Sequence, residues 1–308
     1  MKNGNNILYH FVAFLTIAVW GTTFVWTKLL INSGLSPLNI FIIRFLIAYV
    51  LLLAFSLART RGHKFMWFAN NWKEELKMAG LGITSGSLFF ISQNIALQYT
   101  AATNASLIVC SCPLFTMLLF AAIYRSERFS RMQVIGSVLA FAGMAIVVLN
   151  GRFVLRLDPR GDSLAFAACI SWAFYSLLMK PLTGRYPALF LTRKVFFYGI
   201  VTALPYYVIE PGLPSAEVLL RPQVMANLLF LGCVASMVCY LTWNWCMAKL
   251  GALAVTNWVY FNPIATIIVA WMVLDEQITA YFTIGSALIL SGMYLSNKRK
   301  NAVDGAKA

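Results

Sequence analysis

The chain has very few charged side chains, and this shortage indicates which solvent surrounds it. Only 11% of its 308 residues are Asp, Glu, Lys or Arg, whereas a soluble globular domain has roughly 25%. Hydrophobic residues make up 60%. Water cannot accommodate so much apolar surface, so a water-soluble globular protein is excluded and most of the chain is expected to lie in lipid.

Acidic residues and histidines are scarcer still. The ten acids all fall in loops or at the ends of apolar runs: Glu74, Glu75, Glu127, Asp158, Asp162, Glu210, Glu217, Asp275, Glu276 and Asp304. No carboxylate is therefore expected at mid-membrane to bind a cation or relay protons. The two histidines, His10 and His63, lie at a membrane edge and in a loop. With no nucleophile, aspartate pair or metal site in evidence, the chain is not expected to be an enzyme.

The cysteines do not form a metal-binding motif. All six fall inside apolar runs: Cys110, Cys112, Cys169, Cys233, Cys239 and Cys246. Cys110 and Cys112 are two residues apart and so lie on different sides of a helix. We interpret the cysteines as small packing residues and predict no metal and no cofactor.

Long apolar runs follow one another with short, turn-rich gaps. A transmembrane helix needs about 20 mainly apolar residues. Ten windows meet this requirement: 9–31, 36–58, 75–98, 103–124, 131–149, 161–180, 188–209, 223–248, 253–274 and 279–297. The pattern predicts an all-α integral membrane protein with ten transmembrane helices.

The basic residues give this protein an orientation. The net charge is +14, but the positive residues lie in short clusters between the spans, where they attract lipid headgroups rather than nucleic acid. With a cytoplasmic N-terminus, fifteen of them lie in inner loops or tails, four in outer loops, and five within or at the ends of spans. Both termini are therefore expected in the cytoplasm.

The second half of the chain repeats the first. The segment IGSVLAFAGM, 135–144, matches IGSALILSGM, 284–293, at six of ten positions. We predict a first repeat over 8–149, a second over 160–299 and a cytoplasmic tail over 300–308. Each repeat has five spans, and an odd number inverts the second copy in the membrane. The glycines seven apart in each segment, Gly136 with Gly143 and Gly285 with Gly292, are expected to mark faces of close helix contact.

Matched residues in the two halves resemble a known family. The pairs are Trp20 with Trp172, Arg44 with Arg193, Gly82 with Gly232, Asn94 with Asn244, Pro113 with Pro263, Glu127 with Glu276, and Ser130 with Thr279. Their order resembles two repeats of the EamA family of the drug/metabolite transporter superfamily, over essentially the whole chain. The resemblance implies a cavity surrounded by spans 1, 3, 4, 6, 8 and 9. It also implies export of amino acids, related metabolites or drugs across a bacterial inner membrane.

Polar residues at membrane depth are the candidates for substrate binding, because a polar group in hydrocarbon must be paired or face water. They are Trp20, Thr23, Thr27, Gln93, Asn94, Asn104, Trp172, Tyr175, Trp243, Asn244, Asn257 and Tyr260. Together they predict a neutral, aromatic-rich, hydrogen-bonding cavity. For each residue alone, the alternative is that it only holds helices together.

Three further residues have two interpretations each. Pro113 and Pro263 lie near the middle of their spans, where a proline removes a backbone hydrogen bond and kinks the helix. The kinks are either hinges beside the substrate or purely structural. Arg44 lies about 10 Å deep. It either extends to the headgroups, the favoured interpretation, or faces inward and receives a substrate carboxylate.

The function that these features favour is secondary transport, with export of amino acids or related small metabolites by alternating access. Multidrug efflux is the alternative, and a receptor subunit without transport activity is a weaker one. The expected partners are the lipid bilayer and a small-molecule substrate, not nucleic acid. Because one chain carries both repeats, a monomer should suffice, although a dimer is possible.

Overall fold

The computed structural model describes residues 2–59, 65–99, 105, 108–124, 130–149, 158–208, 212–274 and 280–298, and its regular elements there are all helical. The first half contains α1 (Lys2–Asn32), α2 (Pro37–Arg59), α3 (Trp72–Gly82), α4 (Leu88–Tyr99), α5 (Cys112–Ile123) and α6 (Arg131–Leu149). The second contains α7 (Pro159–Met179), α8 (Ala188–Ala203), α9 (Ala216–Leu219), α10 (Pro222–Leu229), α11 (Cys239–Leu250), α12 (Ala252–Thr256), α13 (Asn262–Leu274) and α14 (Ala280–Lys298). The expected all-α class is confirmed.

Several helices are long and apolar enough to cross a membrane. Within the described residues, six stretches meet both conditions: Asn6–Asn32, Pro37–Arg59, Pro159–Met179, Ala188–Tyr206, Pro222–Leu250 and Ala252–Val269. Shorter apolar helices cover Cys112–Ile123, Arg131–Val147 and Ala280–Ser296. These stretches indicate a multi-pass membrane protein, and the count of ten spans stays a prediction.

A π-helical segment occurs at matching places in the two halves. Ile83–Ser87 joins α3 to α4, and Phe230–Val238 joins α10 to α11. Close packing accompanies each segment: a Cβ on Gly82 would lie 2.4 Å from the Cβ of Tyr198, and one on Gly232 would lie 2.7 Å from the Cβ of Ile47. Only glycine permits such approaches. π-Helical turns are frequent at functional sites.

The helices α6 and α14, which end the two halves, pack against each other along most of their length. A Cβ on Gly136 would lie 2.5 Å from the carbonyl oxygen of Gly292. One on Gly143 would lie 2.6 Å from the carbonyl oxygen of Gly285. The predicted close helix contact is confirmed, and it pairs the two halves backbone to backbone.

Ion pairs hold the end of the bundle where α3 begins. Glu74, in the first turn of α3, accepts hydrogen bonds from the guanidinium of Arg185, at 2.6 Å, and from the hydroxyl of Tyr186. These bonds lower the pKa of the Glu74 carboxyl. Burial and the bond to Glu74 raise the pKa of Tyr186. The pairs join α3 to the turn before α8.

The neighbouring carboxylate makes a second tie to α8. Glu75 accepts from the ammonium of Lys194 and from the hydroxyl of Tyr198. It also accepts from the backbone N–H of Ala69, at 2.6 Å. Lys194 is buried, so its charge is neutralised inside the protein.

Replacing Glu74 by glutamine is expected to lower the melting temperature at pH 7. The folded pKa of Glu74 lies below the ordinary value of about 4.3, so its stabilisation is present above that value and is lost as the pH falls through the folded pKa. Thermal unfolding of the detergent-purified protein over a pH series checks this: the deficit of the Glu74→Gln variant should shrink in acid. Glu217→Gln is the control, because Glu217 is 86% exposed in its pair with Arg221. Equal shifts for both variants would contradict the assignment.

Candidate functional site

A small central cavity lies where helices from both halves meet. Its volume is about 60 Å³, and α1, α2, α4, α7 and α11 all contribute side chains to its wall. The polar members of that wall are Thr23, Arg44, Gln93 and Asn262. The others are aromatic or aliphatic, apart from the thiol of Cys112.

Trp20 of α1 is at the centre of the aromatic part of the wall. Its ring centroid lies 5.6 Å from Trp172, 5.2 Å from Tyr240 and 5.1 Å from Trp243. The ring N–H donates to the carbonyl oxygen of Ala235 at 2.7 Å. The pairs with Trp172 and Tyr240 are edge-to-face, an arrangement that is favourable for aromatic rings. It fixes the position of the Trp20 ring beside the cavity.

Arg44 faces inward, so the expectation that it extends to the headgroups is wrong. Its side chain is buried, its Nε donates to the hydroxyl of Ser236 at 2.9 Å, and its guanidinium lies 4.7 Å from the ring centroid of Phe90. Within the described part of the chain no carboxylate forms an ion pair with it. A buried cation compensated only by a hydroxyl and a ring is costly, so an anion that entered the cavity would be stabilised beside it.

Two other polar atoms in the wall are unsatisfied. Among the described residues, neither the ring N–H of Trp172 nor the side-chain oxygen of Asn262 has a hydrogen-bond partner, although both are buried. Such an atom costs about 1–3 kcal/mol. Both residues line the cavity, so the wall holds one unused donor and one unused acceptor among the described residues.

The candidate residues from the sequence divide into two groups. The structure brings Trp20, Thr23, Gln93, Trp172 and Arg44 together around the cavity. Seven others do not line it: Thr27, Asn94, Tyr175, Trp243, Asn244, Asn257 and Tyr260. Asn104 lies outside the described residues.

Internal hydrogen bonds explain several residues of the second group. The Asn94 amide donates to the carbonyl oxygen of Pro37 at 3.3 Å, and Asn257 donates to Ser296 at 2.9 Å. Asn244 accepts from the Tyr175 hydroxyl and donates to Thr192 at 2.8 Å. The expectation that these polar groups face a cavity is not met. They hold helices together, which was the alternative for each of them.

Pro113 follows a turn that interrupts its span, whereas Pro263 lies in a continuously helical stretch that changes from 3₁₀ to α geometry just before it. Pro113 is the second residue of α5, after a turn at Cys110 and Ser111. Pro263 is the second residue of α13, after the 3₁₀ segment Asn257–Phe261. Proline is well tolerated in a first turn, where its missing N–H leaves no bond unmade. Pro113 therefore begins a helix inside the bundle, and Pro263 begins the last α-helical part of its span.

Both of these helix beginnings are at the cavity. Cys112, the first residue of α5, and Asn262, the first residue of α13, line its wall. A helix N-terminus carries a partial positive charge. The prolines marked these positions in the sequence.

Three aromatic residues that line the cavity were not predicted from the sequence: Phe89, Phe90 and Tyr240. A hydrophobic helix gives no sign of which of its rings faces a cavity. Tyr240 donates its hydroxyl to the carbonyl oxygen of Ser85, at 2.8 Å, in the first π segment. No His, Cys, Asp or Glu group that could hold a metal ion is found among the described residues.

The fold and the cavity define a class: a multi-pass helical membrane protein built from two repeats around a central site. Comparison with known proteins gives the family. The model of the EamA-like transporter family matches residues 7–149 and again 159–298. The chain therefore belongs to the EamA-like transporter family.

Three relatives are similar over most of their length. An uncharacterized transporter of Archaeoglobus fulgidus is 27% identical, over 95% of this chain and 98% of the relative. A probable terminal-alkyne amino-acid exporter of Streptantibioticus cattleyicolor is 27% identical, over 73% and 74%. A probable amino-acid metabolite efflux pump of Escherichia coli is 24% identical, over 92% and 93%. One solved protein structure, 20% identical, has a TM-score of 0.74 and covers 95% of this chain and 98% of its own, which shows a shared fold.

Proposed function

We propose that this protein exports amino acids or related small metabolites that carry a carboxylate. The observation that carries the proposal is Arg44, a buried cation beside the central cavity with no carboxylate partner among the described residues. The names of two relatives, an amino-acid exporter and an amino-acid metabolite efflux pump, support it. The protein is a transporter and, on this proposal, has no enzymatic activity.

The cavity wall matches the parts of an amino acid. Arg44 and the N-termini of α5 and α13 favour the carboxylate. The free oxygen of Asn262 and the amide of Gln93 accept from the ammonium. Trp20 and Phe89 offer apolar surface to the side chain.

A lipophilic cation fits this wall less well. No Asp or Glu in the described part of the chain lines the cavity, and Arg44 would repel a positive charge. Multidrug efflux of cations is therefore the weaker proposal.

Transport requires this cavity to enlarge. A volume of about 60 Å³ is much smaller than the roughly 300–1,000 Å³ of a ligand pocket. The turn before Pro113 and the 3₁₀ segment before Pro263 are places where the backbone can change without breaking a regular α-helix. We propose alternating access by ten spans in two inverted five-span repeats, with the cavity exposed to one side at a time.

We further propose a setting for this transport. The protein resides in the bacterial inner membrane with both termini in the cytoplasm, as the excess of basic residues in the inner loops favours. It acts as a monomer because it carries both repeats, although a dimer is compatible with the fold. Its partners are the bilayer and its substrate.

Proteoliposomes preloaded with radiolabelled amino acids test the proposal. The purified protein should release the label faster than empty liposomes do. No release for any carboxylate-bearing metabolite, or release of lipophilic cations alone, would overturn it.

Gln93→Ala is expected to weaken substrate affinity by about 2- to 10-fold, because a neutral hydrogen bond contributes about 0.5–1.5 kcal/mol. The apparent KM for release measures this. Gln223→Ala is the matched control, since Gln223 is exposed at the start of α10. Equal KM values for the two variants would remove Gln93 from the site.

A further inference from the structure

A second and larger cavity lies away from the centre, between α2, α8 and α11. Its volume is about 820 Å³. It is at the end of the bundle where α2 ends, since Arg59, the last residue of α2, and Pro187, just before α8, both line it. The substrate site described above shares no residue with it.

Two arginines give this cavity a positive charge that the described part of the chain does not neutralise. Arg59 and Arg193 line it, no described residue of its wall is acidic, and no ion pair joins either arginine to a described carboxylate. Nearby cations differ in this respect, because Arg185 pairs with Glu74 and Lys194 pairs with Glu75. The cavity therefore favours an anion.

Contacts with neighbouring residues fix the side chain of Arg193 in the wall of this cavity. Its NH1 donates to the hydroxyl of Ser56 at 2.9 Å, and its NH2 donates to the backbone carbonyl of Met66. The guanidinium lies 4.3 Å from the ring centroid of Phe65. A guanidinium has five N–H donors, so further donors remain for a phosphate. Arg193 is buried and Arg59 is exposed, so one cation is fixed and the other can adjust.

The remaining wall is mainly apolar. Phe55, Leu189, Leu241 and Trp245 line it. Phe55 is 45% exposed, so the cavity extends to the outer surface of α2, where lipid is expected. A free phosphate ion would leave this apolar surface uncovered, whereas a lipid would cover it.

We propose that this cavity binds an anionic phospholipid, with its phosphate on Arg59 and Arg193 and an acyl chain along Phe55 and Leu241. Anionic headgroups are abundant in the leaflet facing the cytoplasm, and the excess of basic residues assigns this end of the bundle to that side. The lipid joins α2 of the first half to α8 and α11 of the second. This proposal does not depend on the identity of the transported substrate.

Native mass spectrometry of the full-length, delipidated protein tests the proposal. Phosphatidylglycerol should bind with higher affinity than phosphatidylcholine of the same chain length. Arg59→Gln should weaken the binding of phosphatidylglycerol by about 5-fold, the equivalent of roughly 1 kcal/mol for one basic residue near an anionic surface. Arg193→Gln should do so at least as strongly. Arg193 also donates a hydrogen bond to Met66. If Arg193→Gln does not fold because this bond is lost, the Arg59→Gln variant decides the test, since Arg59 is exposed.

Matched controls separate this site from general attraction to anions. Arg131→Gln removes an exposed arginine outside the cavity and should leave the affinity unchanged. Inorganic phosphate should compete only weakly with the lipid. Equal weakening by Arg59→Gln and Arg131→Gln, equal affinity for the two lipids, or full competition by inorganic phosphate would overturn the proposal.

Discussion

Replacing Arg44 by glutamine is expected to lower transport of carboxylate-bearing substrates by about 10- to 100-fold. A hydrogen bond to a charged group contributes about 1.5–3 kcal/mol, and every 1.4 kcal/mol is tenfold in affinity. Arg44 is buried, and the described residues offer its charge only the hydroxyl of Ser236 and the ring of Phe90. Removing the cation therefore removes the main reason for an anion to enter. Initial release rates from proteoliposomes measure the effect.

Two controls separate binding from folding in this experiment. Arg44→Lys keeps the charge but loses the planar guanidinium, so it should retain part of the activity. The glutamine variant should discriminate less between an amino acid and its amide, in which a neutral carboxamide replaces the carboxylate, while its melting temperature shows whether the protein is folded. A folded Arg44→Gln variant that still prefers the carboxylate would place carboxylate recognition elsewhere.

Replacing Gly292 by alanine is expected to separate α14 from α6 and to prevent recovery of stable protein. In an ordinary helix this change is stabilising by about 1 kcal/mol. Here the new Cβ would lie 2.4 Å from the backbone nitrogen of Ala140 and 2.5 Å from the carbonyl oxygen of Gly136. Backbone atoms cannot move aside as side chains do, so the cost should reach or exceed the roughly 1–3 kcal/mol of an overpacked core. Thermal unfolding and size-exclusion chromatography measure the loss.

Gly184→Ala is the matched control for this variant. Gly184 has no neighbouring atom within 4 Å of an added Cβ, and it is not among the glycines with a positive φ angle. It should unfold at the temperature of the unmodified protein. If Gly292→Ala unfolded there too, the contact between α6 and α14 would be looser than described.

The sequence predicted the composition of the central site better than its geometry. Trp20, Trp172 and Gln93 were selected because polar and aromatic side chains at membrane depth are costly without a function, and that argument depends on residue type alone. Which way a side chain faces depends on packing. Arg44 faces inward because Ser236 and Phe90 lie beside it, and both belong to elements distant in sequence.

The residues placed wrongly show the same limit. Asn244 has the right type and depth for a substrate site, but Tyr175 and Thr192 use its hydrogen-bonding capacity. No periodic pattern reveals those partners. The π segments add to the difficulty, since a wider turn rotates every residue that follows it relative to a regular helix.

The carboxylates at the start of α3 give the two halves different chemistry. Counted 149 residues on, the positions of Glu74 and Glu75 are occupied by Gln223 and Val224. Val224 is buried in an apolar cluster with Leu30 and Leu35. The start of α3 is therefore held by ion pairs, and the start of α10 by apolar contacts. Salt weakens the first kind of contact and not the second, so raising the ionic strength would loosen the start of α3 and leave the start of α10 in place.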